Sequence, residues 1–466
     1  MTETYDVDYL VVGAGAMGMA FVDVLVHESN ATIAIVDSRA RPGGHWNDSY
    51  PHVRLHQPSA FYGVNSRQLG SNRKDETGYN AGLYELASGT EVVTYFDQVM
   101  QQDFLPSGRV QYFPMTEHLG EGQCRSLASD TTFAINAVKV VDATYMNVTV
   151  PSVRGPQYPV AESMVCIPPN DLSKPGVLPA ERYVVVGGGK TAMDACLWML
   201  GHGIDPDLIT WIRPRDSWCL NRRNIQPGAE FVASSIGGFV HQAEMSAAAT
   251  SIEDLFDRLE QHGQLLRIDP AVRPTMYRCA TVTESELDAL RAITNVIRLG
   301  RVQRIDHDQI VMDDGEIETG PGVVHIDCTA DGLEKRPVVP VFNSDTITLQ
   351  TVRTCQQVFS AAFIAHVEVS YDDEAVKNEL ATVVPHPNTD IDWLRVTIAN
   401  GMNSTRWRQD PDLSAWLHES RLDAFSELRI ASGDTGAETE ALLQRAAAAG
   451  IPAVVNLQSF LDELAP

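Results

Sequence analysis

The sequence predicts an α/β fold of two Rossmann-like domains, the first interrupted by the second, followed by a mostly helical C-terminal extension. Three observations predict it. A glycine-rich turn joins an apolar strand to an apolar helix near the start of the chain, a second unit of the same kind lies further on, and a late apolar strand offers a way back to the first domain. The 466 residues suit this arrangement, being enough for about three ordinary domains or two large ones that share segments.

In the first unit, residues 8–12 (DYLVV) form a short β-branched strand that runs into GAGAMG, and AFVDVLVH supplies the helix. Gly13 permits the tight turn. Gly15 lets a pyrophosphate approach the backbone, and Gly18 lets the helix pack closely on the sheet, while the helix amino terminus offers unpaired N–H groups to phosphate. The next strand, ATIAIVD, ends at Asp37, whose carboxylate is placed to accept hydrogen bonds from an adenosine ribose. SRARPGGHW follows, where Arg39 or Arg41 can balance pyrophosphate charge and Gly43 and Gly44 let the chain turn against a bulky ligand. With Gly43, Gly44 and Trp46 in place after the acid, this region resembles the FAD-binding half of two-dinucleotide flavoproteins, and in particular the NADPH-dependent flavin monooxygenases. The resemblance implies FAD as the first nucleotide. It also implies that YPHVRLHQPSAFYG is the flavin-side segment, with His45, Trp46, Leu55, His56 and Gln57 near the isoalloxazine ring.

The second unit begins with RYVVV at 182–186, then GGGKTAMDACLWML. Gly187, Gly189 and Ala192 match a GxGxxA fingerprint, and Lys190 and Thr191 open its helix beside the phosphates. The following strand, LITWI, ends at Arg213 rather than at an acid, with Arg215 two residues on. Guanidinium groups there suit a 2′-phosphate, which selects NADPH over NADH. Two such folds imply electron transfer between two bound nucleotides.

The third signal is VVHIDCTADG at 323–332, which resembles the strand at which related flavoproteins return to the FAD domain; Asp327, Thr329 and Gly332 are the positions carried over. VKVVDATYMNVTVP at 138–151 is similar to the corresponding departure. The expected organisation is therefore an FAD domain over 1–150, an NADPH domain over 151–322, a return to the FAD domain over 323–370, and a helical cover or subunit surface over 371–466 that leaves room for a homo-oligomer. Residues 216–322 exceed what an NADPH domain needs. They read as an insert or cap with helices in SIEDLFDRLEQHGQLL and ESELDALRAITNVI, a polar link RIDPAVRPTMYRCATV, and a hairpin in DHDQIVMDDGEIE. Arg273, Tyr277 and Arg278 of this region are available to a polar or anionic substrate, with a plain packing role as the alternative.

Composition narrows the function. With 44% apolar and 21% charged residues the chain is an ordinary globular one. Its 61 acidic against 35 basic side chains give a net charge of -26, a field that repels nucleic acid and anionic lipid. Arg213, Arg215, Arg222 and Arg223 form only a local basic island without a base-reading element. No run approaches the roughly 18–20 apolar residues of a membrane span, and no basic segment followed by an apolar one precedes the first strand, so a cytoplasmic protein without a stable membrane anchor is expected. The seven cysteines, at 124, 166, 196, 219, 279, 328 and 355, lack CxxC spacing and are expected to be reduced thiols, giving neither a zinc site nor a redox dithiol. His52 and His56 lie four apart without an HExxH pattern, and no metal is expected.

The resemblance implies a monooxygenase that consumes NADPH and dioxygen and inserts one oxygen atom into a small organic substrate, N-hydroxylation included. No nucleophilic triad is needed; His56, Gln57 and Tyr62 are the catalytic candidates beside the flavin, with Asn65 a lesser one. The FxGxxxHxxx(Y/F/W) linker of many such enzymes is absent, and MVCIPPNDLSKPG stands there instead. An FAD-dependent oxidoreductase or oxidase without oxygen insertion, or a noncatalytic redox sensor, are the alternatives.

Overall fold

The computed structural model of the chain describes residues 3–330, 332–424 and 436–464. The first unit is built on a sheet in which strands Phe342–Asn343, Thr346–Thr348, Thr132–Asp142, Thr4–Val12, Ile33–Val36 and Val110–Phe113 lie side by side in that order. All pairs along this path are parallel except the hairpin Phe342–Asn343 with Thr346–Thr348. Thr4–Val12 holds the central place, and all four residues of Ile33–Val36 are buried, as a parallel strand covered on both faces requires. Helix Ala16–Glu28 packs beside helix Gln357–Ser370, whose run from Val358 to Ala365 is buried throughout. Two segments far apart in sequence thus share one core.

The second unit has five parallel strands in the order Val296–Ile297, Ile209–Ile212, Arg182–Val186, Val323–Asp327, Val165–Ile167. Val323–Asp327 belongs to this sheet and not to the first. The return expected at residue 323 therefore falls one strand early, and the chain rejoins the first sheet only at Phe342–Asn343 and Thr346–Thr348. An apolar strand is equally content in either sheet, so composition could not separate them.

The insert is more ordered than its sequence suggests. Strand Met276–Val282 lies within the expected polar link, parallel to Ser217–Asn221, and Leu265–Leu266 pairs with the other side of Ser217–Asn221. The two expected helices are shorter, Ile252–Gln261 and Glu284–Arg291, each begun by a side-chain cap from Ser251 and Thr283. Helix Val232–Ala248 was not anticipated, because its Ser, Gly and Ala residues give little apolar periodicity. Gln309–Met312 and Gly315–Glu318 form the expected hairpin, with Val302–Ile305 as its third strand.

The tail contributes helices Glu374–Leu380, Asp390–Gln409, Pro411–Glu419 and Gly436–Glu463. The last packs along Val232–Ala248 and against Asp390–Gln409, so tail and insert form one helical roof. These helices agree with the mostly helical extension expected from residue 371 on, of which residues 425–435 lie outside the described residues. No helix among the described residues is long and apolar enough to cross a membrane.

One expectation is overturned. Cys279 and Cys355 form a disulfide, their Cα atoms 6.5 Å apart across a sequence separation of 76. Spacing rules look for cysteines close in sequence, whereas this pair is joined by the chain's passage between domains. Cys124, Cys196, Cys219 and Cys328 are free and buried, and Cys166 is free and half-buried.

Candidate functional site

Each glycine fingerprint forms a strand–turn–helix cradle. Gly13 has φ +105°, and a Cβ on Gly18 would overlap the Gly13 carbonyl oxygen, so helix Ala16–Glu28 approaches its turn as only glycine allows. The helix has no side-chain cap at Gly15, which leaves its first N–H groups available to a phosphate. The Gly43–Gly44 segment docks on this turn. The Gly43 N–H donates to the Ala14 carbonyl at 2.8 Å, and a Cβ on Gly44 would stand 2.9 Å from the Cα of Gly15.

Asp37 is buried at the end of Ile33–Val36, where its carboxylate accepts from the Ala14 and Arg39 N–H groups at 2.7 Å each. Burial raises its pKa although both hydrogen bonds oppose the rise. The Arg39 guanidinium points to Asp48, with Nε at 2.9 Å and Nη2 at 2.7 Å. Arg39 thus meets a carboxylate of its own loop.

Of the flavin-side candidates, His45, Trp46 and Tyr62 are in contact. The His45 ring lies 5.2 Å from that of Trp46, and Trp46 Nε1 donates to the Tyr62 hydroxyl at 2.7 Å. Leu55 is buried, and its N–H donates to the Ala87 carbonyl at 2.9 Å. Burial lowers His45 and His52 to about 4 and, joined by the Lys190 charge, lowers His56 to about 3, so all three are neutral imidazoles near pH 7. Burial also raises the Tyr62 phenol. Gln57 lines a large cavity, and among the described residues its side chain makes no hydrogen bond within hydrogen-bonding distance. Asn65 lies apart, accepting from Ser420 at 3.0 Å.

The helix of the second cradle touches the flavin-side segment, the Trp198 ring lying 5.3 Å from that of His52. Gly187 has φ +132° and packs against the Cys328 carbonyl, 2.8 Å from where its Cβ would be, while Gly188 packs against the Arg215 carbonyl at 2.6 Å. A Cβ on Gly189 would meet nothing within 4 Å, and helix Lys190–Gly201 starts there without a side-chain cap. Open space thus lies in front of its N–H groups. Thr191 follows Lys190, and Ala192 is fully buried. Lys190 pairs with Asp194 one turn on, and Asp194 accepts from the Tyr50 hydroxyl at 2.7 Å. Burial opposes ionisation of Asp194, but the Lys190 charge leads the effects that hold its pKa below the usual carboxylate value. The Tyr50–Asp194–Lys190 chain therefore bridges the flavin-side segment to the amino terminus of the second helix.

The two arginines differ. Arg213 is 2% exposed, lies 3.3 Å from Asp216, and stacks on Trp211 at 4.6 Å, with its Nε making no hydrogen bond among the described residues. Arg215 is half-buried, and its Nη2 donates to Asn388 Oδ1 at 3.3 Å. Asp327 is buried beside Tyr158, its Oδ1 accepting from the Thr329 hydroxyl at 2.6 Å, and Gly332 has φ +72°. These three adjoin the second sheet. Arg273 lies 3.5 Å from Asp257, and Arg278 Nε donates to Asn388 Oδ1 at 2.9 Å; of the insert's three candidates Tyr277 lines the cavity.

Several groups escaped the sequence. Arg222, read as part of a basic surface island, is 1% exposed: its Nε donates to the His56 carbonyl at 2.9 Å, and Nη2 lies 2.9 Å from Glu286. From the tail, Arg421 donates to the carbonyls of Ala60, Tyr62 and Val64, with the Tyr62 contact at 2.9 Å. Both fix the flavin-side segment from outside. The cavity itself, about 650 Å³, lies between Gln57 and Phe61, the insert (Leu220, Ile236, Tyr277) and the tail (Trp393). Its lining is mainly apolar and, among the described residues, holds no carboxylate and has Arg353 and Arg408 as its cations. Only an unusually weak signal, the Trp393 and Trp407 pair in a polar helix, hinted at it.

No family model matches the chain. It is 54% identical over 426 residues to the proteins called Uncharacterized protein Rv2000 in Mycobacterium tuberculosis and Uncharacterized protein Mb2023 in Mycobacterium bovis, covering 91% of this chain and 79% of each. The chain belongs to the family of these mycobacterial proteins. A stretch of 93 residues, 20% of the chain, is 30% identical to a ferredoxin–NADP reductase of Salinispora tropica and covers 29% of it. Among solved structures, the chain is similar to a cyclohexanone monooxygenase bound to epsilon-caprolactone, with TM-score 0.49, 14% identity, and 80% of this chain and 88% of the other covered. It is also similar to a flavin-containing monooxygenase from Stenotrophomonas maltophilia, with TM-score 0.42, 16% identity, and coverage of 88% and 99%.

Proposed function

We propose that the protein is an FAD-dependent, NADPH-consuming monooxygenase that inserts one oxygen atom of dioxygen into an organic substrate held in the 650 Å³ cavity. The observation that carries this reading is the bridge from Tyr50 through Asp194 to Lys190, which ties the segment that follows the first glycine cradle, with its neutral imidazoles, to the uncapped amino terminus of the second cradle's helix. The residues fit the two nucleotides. The Gly13–Gly18 turn, closed over by Gly44, takes the FAD pyrophosphate and Asp37 its ribose side. The open space at Gly189 takes the NADPH pyrophosphate, and the unsatisfied Nε of buried Arg213, with the more accessible Arg215, suits the 2′-phosphate.

Bound FAD supplies hydride acceptance from NADPH and reaction with dioxygen. The chain's own residues do the rest. His45, Trp46, Leu55 and Tyr62 hold the ring, and Arg222 and Arg421 keep the segment that carries them in place. His56, kept neutral, offers a hydrogen bond without adding charge. Gln57 orients the substrate through an amide that has no other partner, and the apolar lining excludes water. With no carboxylate in the lining among the described residues and Arg353 and Arg408 as its cations, an ammonium substrate meets like charge, so neutral ketones and thioethers are preferred over amines, and N-hydroxylation is the less favoured branch.

The test is anaerobic reduction of the FAD-loaded protein by NADPH, followed by oxygen addition with and without a panel of ketones, thioethers, amines and amino acids. Substrate-stimulated NADPH oxidation with an oxygenated product is expected. Reduction followed by peroxide alone, with no product from any substrate, would refute oxygen insertion; failure to retain FAD even when it is supplied would refute the flavin reading.

A further inference from the structure

We propose that the Cys279–Cys355 disulfide is a thiol-exchange site in the cavity wall, opened by a low-molecular-weight thiol that enters the cavity, and that its state sets how tightly the cavity holds its ligand. The inference rests on the cavity and the cysteines alone and does not need the flavin reading. Cys279 comes from strand Met276–Val282 of the insert, and Cys355 from the turn before helix Gln357–Ser370 of the first unit, so the bond fastens the roof to the base. Both cysteines line the cavity, and no other cysteine does. Cys355 is half-buried and Cys279 buried, so Cys355 is the more accessible of the two lining residues.

Two further observations support exchange. Both cysteines have left-handed backbone, φ 56° at Cys279 and φ 60° at Cys355, a region that residues with a side chain rarely adopt. Cleavage frees both segments to leave it. The charge of the lining also suits the reagent: the attacking thiolate is an anion, the chain carries a net charge of -26, and yet among the described residues the cavity lining holds no carboxylate and presents Arg408 beside Arg353, the latter paired with Asp423.

The step balances. A thiolate attacks one cysteine sulfur, the S–S bond breaks, and the other cysteine leaves as a thiolate that takes up a proton. A second thiol attacks the mixed disulfide, so two molecules of thiol are oxidised to one disulfide while the protein disulfide is reduced to two thiols. After cleavage the turn keeps its ties to the tail, Arg353 to Asp423 at 2.9 Å and the Thr354 N–H to Asn400 Oδ1 at 3.0 Å, and to its own helix, the Val352 N–H to Ser360 Oγ at 3.1 Å. The direct covalent tie from this turn to strand Met276–Val282 is then lost, and the turn reaches the insert by way of the tail.

The test uses the full chain purified without reductant, before and after dithiothreitol. Iodoacetamide labelling with mass spectrometry should add Cys279 and Cys355 on reduction. The dissociation constant of the apolar fluorescent probe 8-anilinonaphthalene-1-sulfonate should rise by about fivefold, the low end of coupling between linked sites. Ile236→Trp, which fills the cavity, should weaken the probe in both states, and Cys279→Ser with Cys355→Ser should behave as the reduced wild type and ignore dithiothreitol. The wild-type comparison carries the test if the double variant does not fold. Cysteines 279 and 355 that label fully before reduction and after diamide oxidation, or a probe affinity equal in the two states, would overturn the proposal. Flavin content, read from visible absorbance, bears only on the proposed function.

Discussion

Replacing Gly44 by Ala should weaken FAD binding through a contact that a nearby glycine can serve to calibrate. Gly44 has φ +57°, so an alanine there carries the left-handed cost of about 1–2 kcal/mol. Its Cβ would also stand 2.9 Å from the Cα of Gly15, short of an ordinary carbon–carbon contact by about 0.6–1.1 Å. The obstacle is backbone, which cannot swing aside as a side chain can. The relief is a widening of the gap between the Gly43–Gly44 segment and the glycine turn, the gap that the pyrophosphate must span. Overpacking of this kind costs about 1–3 kcal/mol, which converts to an FAD dissociation constant raised by roughly 5- to 150-fold. Gly78→Ala is the control: φ is +75°, but nothing lies within 4 Å of its Cβ, so it carries the backbone cost alone. Titration of the apoproteins with FAD, followed by flavin fluorescence, and urea unfolding without FAD separate the two costs. Both variants should lose similar backbone stability, and only Gly44→Ala should lose FAD affinity. Equal FAD affinity in Gly44→Ala and wild type, or an equal loss in Gly78→Ala, would refute the placement of FAD against Gly15 and Gly44.

Arg215→Ala should weaken NADPH more than NADH in equilibrium titrations, whereas Arg213→Ala should in addition lower the unfolding free energy because it empties the buried space where the guanidinium stacks on Trp211, Asp216 keeping its 2.8 Å pair with Arg298; equal effects of Arg215→Ala on both nicotinamides would remove the 2′-phosphate assignment. Asp194→Ala leaves the Lys190 ammonium mostly buried without its partner, and breaking such a pair costs about 3–5 kcal/mol in urea unfolding. A loss under about 1 kcal/mol would mean that Lys190 is solvated or paired elsewhere. The lowered imidazoles set an acid limit: with folded values of about 4 for His45 and His52 and about 3 for His56, the unfolded chain binds protons below about pH 6.5 that the folded chain refuses. Stability is therefore full above pH 6.5 and falls by up to about 1.4 kcal/mol per unit for each ring as pH drops towards 4. His56→Gln should flatten that slope by one ring's share, and an unchanged slope would show that His56 is protonated as readily in the fold as out of it.

What the sequence disclosed and what it concealed divide along a physical line. Gly13, Gly18 and Gly187 were legible because the demand on them is local: a positive φ or a helix crossing within a few residues leaves glycine as the residue that fits. The strands were legible for the same reason, since burial on both faces writes itself as a continuous apolar run. The groups that hold the site together were not. Tyr50 meets Asp194 across 144 residues and Arg421 meets Tyr62 across 359, so nothing near either partner announces the other. Charge misled for a related reason: Arg213 and Arg222 read as a basic surface because a sequence displays a cation without its counter-charge, and both prove to be buried against Asp216 and Glu286. The cysteines repeat the pattern, as their spacing argued for separate thiols while the interleaving of the domains makes them neighbours. A chain that crosses between two units more than once brings distant residues together at the crossing points. Tyr50 with Asp194 and Arg222 with the His56 carbonyl are two such points, so residues that the sequence conceals hold the segment on which the proposed chemistry depends.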